Sequence, residues 1–118
     1  MNFDYSVKGV DNLYIAGQLS GVEGYMESTA SGLIAGISMA KKIEGKTLAI
    51  LPKTTIIGAI TNYLVSAEEK NFQPMNANFG ILSPLDRVIK DKSLKKQEYS
   101  NRAIIAIKEY KENNDVEF

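Results

Sequence analysis

The sequence of 118 residues contains no cysteine, no histidine and no tryptophan. Without cysteine, the chain forms no disulfide and offers neither a thiolate metal ligand nor a thiol nucleophile. Without histidine, it also lacks the commonest general base and the other usual zinc ligand. We therefore predict no catalytic residue and no metal site in this chain. Either the protein is not an enzyme, or its chemistry depends on residues elsewhere.

Net charge and long apolar runs are also absent. Fourteen basic and fourteen acidic residues cancel, so the overall charge gives no argument for a polyanionic partner. No stretch approaches the roughly 18 apolar residues of a membrane span, and the N-terminus lacks the apolar core of a signal peptide. We predict a cytoplasmic protein without a membrane partner, forming one domain or part of one.

Glycine is concentrated in one segment, "AGQLSGVEGYMESTASGLIAG", which covers residues 16–36 and holds five of the nine glycines. A short apolar run precedes it, and the pattern predicts a strand at 13–16, a glycine turn and a helix at 25–43. Such a turn brings bare backbone and free helix N–H groups close to a ligand. A tight turn packed on a sheet explains the same glycines, and spacing alone leaves both interpretations open.

The sequence predicts what two faces of this helix contact. The apolar residues recur at spacings of three and four and predict the buried face: Met26, Ala30, Leu33, Ile37 and Ala40. A second stripe of small residues, Ser28, Gly32 and Gly36, is expected to pack directly against the strand at 13–16. Glycine inside a helix costs about 1 kcal/mol relative to alanine, and a close approach would compensate for that cost.

The remaining sequence predicts two further helices separated by a long connection. Gly45 is expected to end the first helix, and a second helix is predicted at 54–66. Two prolines, a glycine and two asparagines make 72–85 an extended, packed loop. A C-terminal helix is predicted at 93–113. From Arg87 to Arg102 six basic residues stand against two acidic ones, a pattern typical of either a solvated helix face or a phosphate-binding surface.

Three stretches together resemble a known family. "LYIAGQLSGVEGYMESTASGLIAGISMA", "LPKTTIIGAITNYLV" and "NFQPMNANFGILSPL" are similar to the C-terminal part of the TrmFO family, the folate- and FAD-dependent RNA uracil-C5-methyltransferases. The glycine segment alone is shared with the related GidA/MnmG flavoproteins, whereas "FQPMNANFG" favours the methyltransferase branch. The resemblance implies an α/β fold: the C-terminal fragment of a Rossmann-like FAD-binding domain, followed by two helices and the packed loop.

The resemblance also implies which residues contact the cofactor. Gly17 and Gln18 would lie along the ribityl chain and pyrophosphate of FAD, with Gly21 in the same turn. Backbone N–H groups near Gly24 and Tyr25 would face the pyrimidine edge of the flavin. RNA contacts are expected at the four lysines of the basic segment: Lys90, Lys92, Lys95 and Lys96.

The family reaction, as the resemblance implies it, passes a one-carbon unit from methylenetetrahydrofolate through the flavin to uracil C5 in the T-loop of tRNA. NAD(P)H supplies the electrons, and tRNA or ribosomal RNA is the partner, not DNA. A cysteine takes part in that uracil chemistry. This chain, which lacks cysteine and the glycine-rich motif for the adenosine half of FAD, is therefore expected to need a missing N-terminal FAD-binding portion.

Two alternatives remain at this stage. One is a fragment of a GidA/MnmG-like flavoprotein that modifies the wobble uridine of tRNA. The other is a free-standing, non-enzymatic module left by gene truncation. In every case the isolated chain is expected to bind FAD weakly or not at all, and to be marginally stable or self-associating because apolar faces stay exposed.

Overall fold

The computed structural model describes residues 1–117 and contains three α-helices. They are α1 (Tyr25–Ile43), α2 (Ile56–Ser66) and α3 (Lys92–Asn114). Three single turns of 3₁₀-helix lie at Gly17–Ser20, Glu69–Asn71 and Phe79–Ile81. Within residues 1–117, strand pairing is limited to two isolated bridges. The architecture is therefore mostly helical, and the expected α/β character is not seen in this part of the chain.

The strand predicted at 13–16 is wrong. Tyr14 pairs with Ser6 in a single antiparallel bridge, supported by hydrogen bonds from Val7 N–H to Leu13 O (2.9 Å) and from Ile15 N–H to Tyr5 O (3.0 Å). An apolar strand is stabilised by neighbours on both sides, but here one short N-terminal segment supplies a single edge. Leu13 accordingly remains 48% exposed.

The predicted buried face of α1 is also wrong, although the helix has the predicted bounds. Its buried residues are Ser31, Ile34, Ala35, Ser38 and Lys41. The face predicted from apolar spacing is largely open, with Met26 80% and Leu33 51% exposed. Ser31 approaches the preceding segment closely and accepts a hydrogen bond from Gly17 N–H. Of the predicted apolar face, Ile37 is half-buried against the core and Ala30 is half-buried, whereas Met26, Leu33 and Ala40 are exposed.

The small-residue stripe of α1 does not pack as predicted. A Cβ atom added at Gly32 or Gly36 would meet nothing within 4 Å, whereas Ser28 alone lies beside Gly17, 3.9 Å from a Cβ built there. The contact between α1 and the 13–17 segment is made instead by Ser31, whose Oγ accepts a hydrogen bond from Gly17 N–H (2.7 Å). The two helix glycines therefore face open space in this chain.

The hydrophobic core lies where α1, α2 and the two chain ends meet. Its buried members are Tyr5, Val22, Ile34, Ala35, Leu51, Ile60, Leu64, Tyr110 and Val116. Tyr5 hydrogen-bonds Thr61 on α2 through its hydroxyl group (3.0 Å), and burial raises the pKa of this tyrosine. The N-terminal hairpin, in which residues 5–7 pair with residues 13–15, is thereby fixed to α2.

Caps set the starts of the second and third helices. Thr55 accepts a hydrogen bond from Gly58 N–H (3.1 Å) at the start of α2, and Asp91 accepts one from Leu94 N–H (2.8 Å) at the start of α3. α2 therefore begins at Ile56 rather than at 54, and α3 begins one residue before its predicted start. The segment 72–85 is extended except for the 3₁₀ turn at Phe79–Ile81.

Candidate functional site

The glycine turn before α1 is held by its own hydrogen bonds. Ser20 donates to Gly17 O (2.7 Å), and Gly21 N–H donates to Gln18 O (2.9 Å). Gly17, Gly21 and Gly24 adopt positive φ angles of 65°, 102° and 112°. Residues with a side chain rarely adopt this conformation, so the path of the turn depends on glycine at these three positions.

The start of α1 offers free hydrogen-bond donors. Gly24 occupies the N-cap and has no side chain to cap the helix. The first helical hydrogen bond is donated by Ser28 to Gly24 O (3.0 Å), so the N–H groups of Tyr25 and Met26 precede it. Both side chains are exposed, by 95% and 80%. The Glu27 carboxylate already lies against the Gly24 backbone at this helix start, so the donors that remain for an electronegative group are the N–H groups of Tyr25 and Met26.

A distant segment of the chain lies against this turn. Val22 and Met75 form a parallel bridge, in which Met75 N–H donates to Gly21 O and Glu23 N–H donates to Met75 O, both at 3.0 Å. The amide of Asn76 also donates to Glu23 O (3.0 Å). The glycine segment and "FQPMNANFG" are therefore parts of one surface.

Glu27 strengthens the same junction. Its carboxylate accepts a hydrogen bond from Ala77 N–H (2.7 Å). This bond, together with one from the backbone of Glu27 itself, lowers the pKa of the carboxyl group below its ordinary value of 4.5. Sequence alone suggested only a favourable charge in the first helical turn. The contact spans 50 residues, and no local pattern signals it.

Gly21 lies beneath the 72–78 segment. A Cβ atom there would collide with the ring of Phe72 and would lie 2.9 Å from Leu64 Cδ2. The Phe72 ring stacks on Tyr63, with centroids 6.4 Å apart, and Tyr63 donates a hydrogen bond to Gln73 O (2.9 Å). The absence of a side chain at Gly21 therefore permits this close packing.

The five residues expected to contact the cofactor lie in one continuous turn, but they differ in accessibility. Gln18, Gly24 and Tyr25 are exposed, Gly17 is half-buried and Gly21 is buried. The N–H and the carbonyl of Gly21 are both used within the chain. The open part of the turn is consequently formed by Gln18 and by the start of α1.

The basic segment separates into arginines with internal partners and free lysines. Arg87 pairs with Glu98 (3.4 Å), and Arg102 donates to the carbonyl groups of Ser83 and Pro84. The four lysines predicted to contact RNA are exposed, and within residues 1–117 none of them forms an ion pair. They are Lys90, Lys92, Lys95 and Lys96.

No helix of residues 1–117 is long and apolar enough to cross a membrane. No group of three or more aspartate or glutamate residues in that range is arranged to hold a metal ion.

The chain is similar to proteins of known name. The family model described as "Glucose inhibited division protein A" matches residues 1–47. A Staphylococcus epidermidis protein is 51% identical over 113 residues, which are 95% of this chain and 26% of that protein. An Anoxybacillus flavithermus protein is 50% identical over 106 residues, 90% of this chain and 24% of its own length.

A Halalkalibacterium halodurans protein is 47% identical over 106 residues, again 90% of this chain and 24% of the relative. All three relatives carry the name methylenetetrahydrofolate–tRNA-(uracil-5-)-methyltransferase TrmFO. This chain spans about a quarter of the length of these curated relatives. Since the similarity near 50% identity extends over at least nine-tenths of it, the chain belongs to the TrmFO family.

Proposed function

We propose that this chain is the flavin-contacting C-terminal part of the FAD-binding domain of a tRNA uracil-C5-methyltransferase that uses methylenetetrahydrofolate and NAD(P)H. The names of the relatives support the substrates methylenetetrahydrofolate and tRNA. The single observation that carries the assignment of the site is the uncapped start of α1 behind a glycine turn. Free donors at that point suit an electronegative edge of a flavin.

The residues present fit such a group. A side chain at Gly24 would collide with the Glu27 carboxylate, and in its absence the backbone N–H groups at Gly24 and Tyr25 are proposed to approach a planar ring. Gly17 and Gln18 are proposed to lie along the ribityl and pyrophosphate portions. Gly21 contributes indirectly, by letting Phe72 and Leu64 pack against the turn. When bound, FAD supplies the redox and one-carbon chemistry, which no side chain here replaces.

Catalytic groups for uracil are proposed to come from the other three-quarters of the enzyme. This chain has neither cysteine nor histidine, so it supplies no thiol nucleophile and no imidazole base. Its proposed share of the work is to hold the cofactor edge, with Glu27 and Asn76 keeping the 72–78 segment beside it. The four free lysines are proposed to contact phosphates of the RNA.

The similarity beyond residue 47 favours this function over a wobble-uridine modification of the GidA/MnmG kind. The GidA family model matches only the hairpin, the glycine turn and α1 together with the residues after it. The TrmFO relatives match over 106 to 113 residues and so include the 72–85 segment and part of α3. The specific argument for the methyltransferase therefore comes from the second half of the chain.

The test uses a chimaera in which this chain replaces the matching segment of the Staphylococcus epidermidis relative. Gly24→Val should lower FAD affinity by about 5- to 150-fold, because a branched side chain collides with the Glu27 carboxylate at the helix start and overpacks the proposed ring contact. Gly45→Val is the control for the positive φ alone (74°), since a Cβ atom built at Gly45 would meet nothing within 4 Å. Flavin absorbance per polypeptide is the measurement. Equal flavin content in the two variants would refute the proposed site.

A further inference from the structure

We propose that a pocket between the Phe79–Ile81 turn and α3 binds an unpaired nucleobase of the RNA. The pocket has a volume of about 370 Å³, and its walls include Phe79, Leu82, Tyr99, Lys92, Lys95 and Lys96. This volume lies in the range of small-ligand sites. The inference rests on the proposed function, because it takes RNA as the partner, but it assigns a contact separate from the flavin site.

The aromatic floor of the pocket is formed by Phe79 and Tyr99. The rings of Phe79 and Tyr99 lie 5.6 Å apart at an angle of 35°. Arg102 lies over the Tyr99 ring, 5.3 Å from its centroid, and is itself held by the carbonyl groups of Ser83 and Pro84. Tyr99 is buried, whereas Phe79 is 41% exposed. Phe79 therefore presents a supported ring on which a base can stack.

The rim of the pocket is cationic and unneutralised. Lys92, Lys95 and Lys96 belong to the first turns of α3 and border the apolar floor. Within the described residues none of the three forms an ion pair, while the nearby acidic groups are occupied. Asp91 caps the helix, and Glu98 pairs with Arg87. Positive charge around an aromatic surface is complementary to a nucleotide, with its base on the ring and its phosphates at the lysines.

Fluorescence anisotropy of this chain with a labelled single-stranded uridine oligonucleotide tests the pocket without any flavin. Phe79→Ala should weaken binding by roughly 5- to 100-fold, the range for loss of one base stack. Val88→Ala is the control, because Val88 lies in the basic segment, is 92% exposed and does not line the pocket. Phe79→Leu keeps apolar volume and removes the flat ring. It should also weaken binding while helix content by circular dichroism stays unchanged.

The salt dependence of binding and an oligonucleotide with abasic positions test the charged rim and the base contact separately. Lys96→Gln should reduce the slope of log K against log salt by about 0.7, whereas Lys108→Gln, farther along α3, should not. An oligonucleotide with abasic positions should bind the parent chain as weakly as the intact one binds Phe79→Ala. Equal binding by the Phe79→Ala and Val88→Ala variants would overturn the proposal. So would displacement of RNA by tetrahydrofolate, which would assign the pocket to that smaller ligand.

A failure here is distinguishable from a failure of the proposed function. The RNA assay needs no cofactor, and the flavin content of the Gly24 and Gly45 variants needs no RNA. Loss of the nucleobase contact with intact flavin loading would leave the flavin site standing.

Discussion

Glu27 is the side chain that links the start of α1 to the 72–78 segment. Its carboxylate accepts the Ala77 N–H, and this bond keeps the pKa of Glu27 low. A carboxyl group whose pKa is lowered by folding stabilises the folded chain at pH values above its ordinary pKa of 4.5. The contribution is lost as the pH falls through the lower, folded-state pKa.

We therefore predict that Glu27→Ala accelerates amide hydrogen exchange at Ala77 at neutral pH. Glu23→Ala is the matched control, because the Glu23 contacts to Met75 and Asn76 are made by its backbone. In the parent chain, the NMR shift of the Ala77 amide should titrate with a midpoint below 4.5, the ordinary value for this carboxyl group. Equal exchange in both variants, or a midpoint at 4.5 or above, would contradict this role.

Residue-scale prediction from sequence succeeded where the requirement is local. The glycines were predicted to form a turn before the helix, and in that turn three of them adopt positive φ. Contacts between distant residues, such as Glu27 with Ala77 or Phe79 with Tyr99, have no local signature. They depend on how the 72–85 segment folds back over the helices.

At the scale of elements, glycine plays opposite roles in α1 and α2. Gly58 in α2 lies against Pro52, whose carbonyl carbon would be 2.6 Å from an added Cβ atom. Gly32 in α1 would meet nothing within 4 Å. Gly32 is an interior position of α1, where helix propensity favours alanine, whereas Gly58 lies in the first turn of α2 and its packing against Pro52 decides the effect of a side chain.

The expected result is a change of opposite sign in the free energy of unfolding. Gly58→Ala should destabilise this chain by about 1 to 3 kcal/mol through overpacking. Gly32→Ala should stabilise it by about 0.5 to 1 kcal/mol through helix propensity. Urea denaturation followed by circular dichroism measures both. A destabilised Gly32→Ala chain would show that this face is packed after all.

Lys41 connects α1 with the end of α3. This buried side chain donates through Nζ to Asp115 O (2.6 Å) and lies 3.5 Å from Asn114 O. A cation is favourable at carbonyl groups that end a helix. Lys42 is the natural comparison, because its pairing with Asp11 at 3.7 Å is exposed and such pairs contribute little.

Lys41→Met should lower the free energy of unfolding by about 1.5 to 3 kcal/mol, the range for a hydrogen bond to a charged group. It should also speed hydrogen exchange in the last turn of α3. Lys42→Met should change stability by less than about 1 kcal/mol. Thermal or urea unfolding of the two variants and the parent measures these changes. An equal loss of stability in both variants would argue against the role of Lys41 at the end of α3.

Helix positions were predictable because caps and breakers are local, but the orientation of α1 was not. Its apolar spacing predicted a face containing Met26 and Leu33, and both remain exposed. Burial depends on what an element meets, and within residues 1–117 the core covers this side only in part, at Ile37. The strand at 13–16 failed for the same reason, since a strand requires pairing partners that local sequence does not reveal.

The radius of gyration shows that the chain is less compact than a typical domain of its length. The radius of gyration is 14.9 Å, compared with about 13.4 Å for a compact domain of this length. Large apolar side chains remain exposed on α1 and around the glycine turn, including Leu19, Tyr25, Met26 and Ile43. Such surface is typical of an interaction site. It is consistent with the proposal that this chain forms a cofactor site together with other parts of a TrmFO-type enzyme.

Flavin occupancy of the isolated chain and of the Staphylococcus epidermidis chimaera tests this account most directly. Both proteins are purified, titrated with FAD and compared by absorbance per polypeptide. We predict a colourless isolated chain without measurable micromolar affinity, and a chimaera that is yellow and loses its flavin with Gly24→Val. A yellow isolated chain, or a folded chimaera that holds no FAD, would contradict the claim that this chain supplies the flavin-facing part of a shared site.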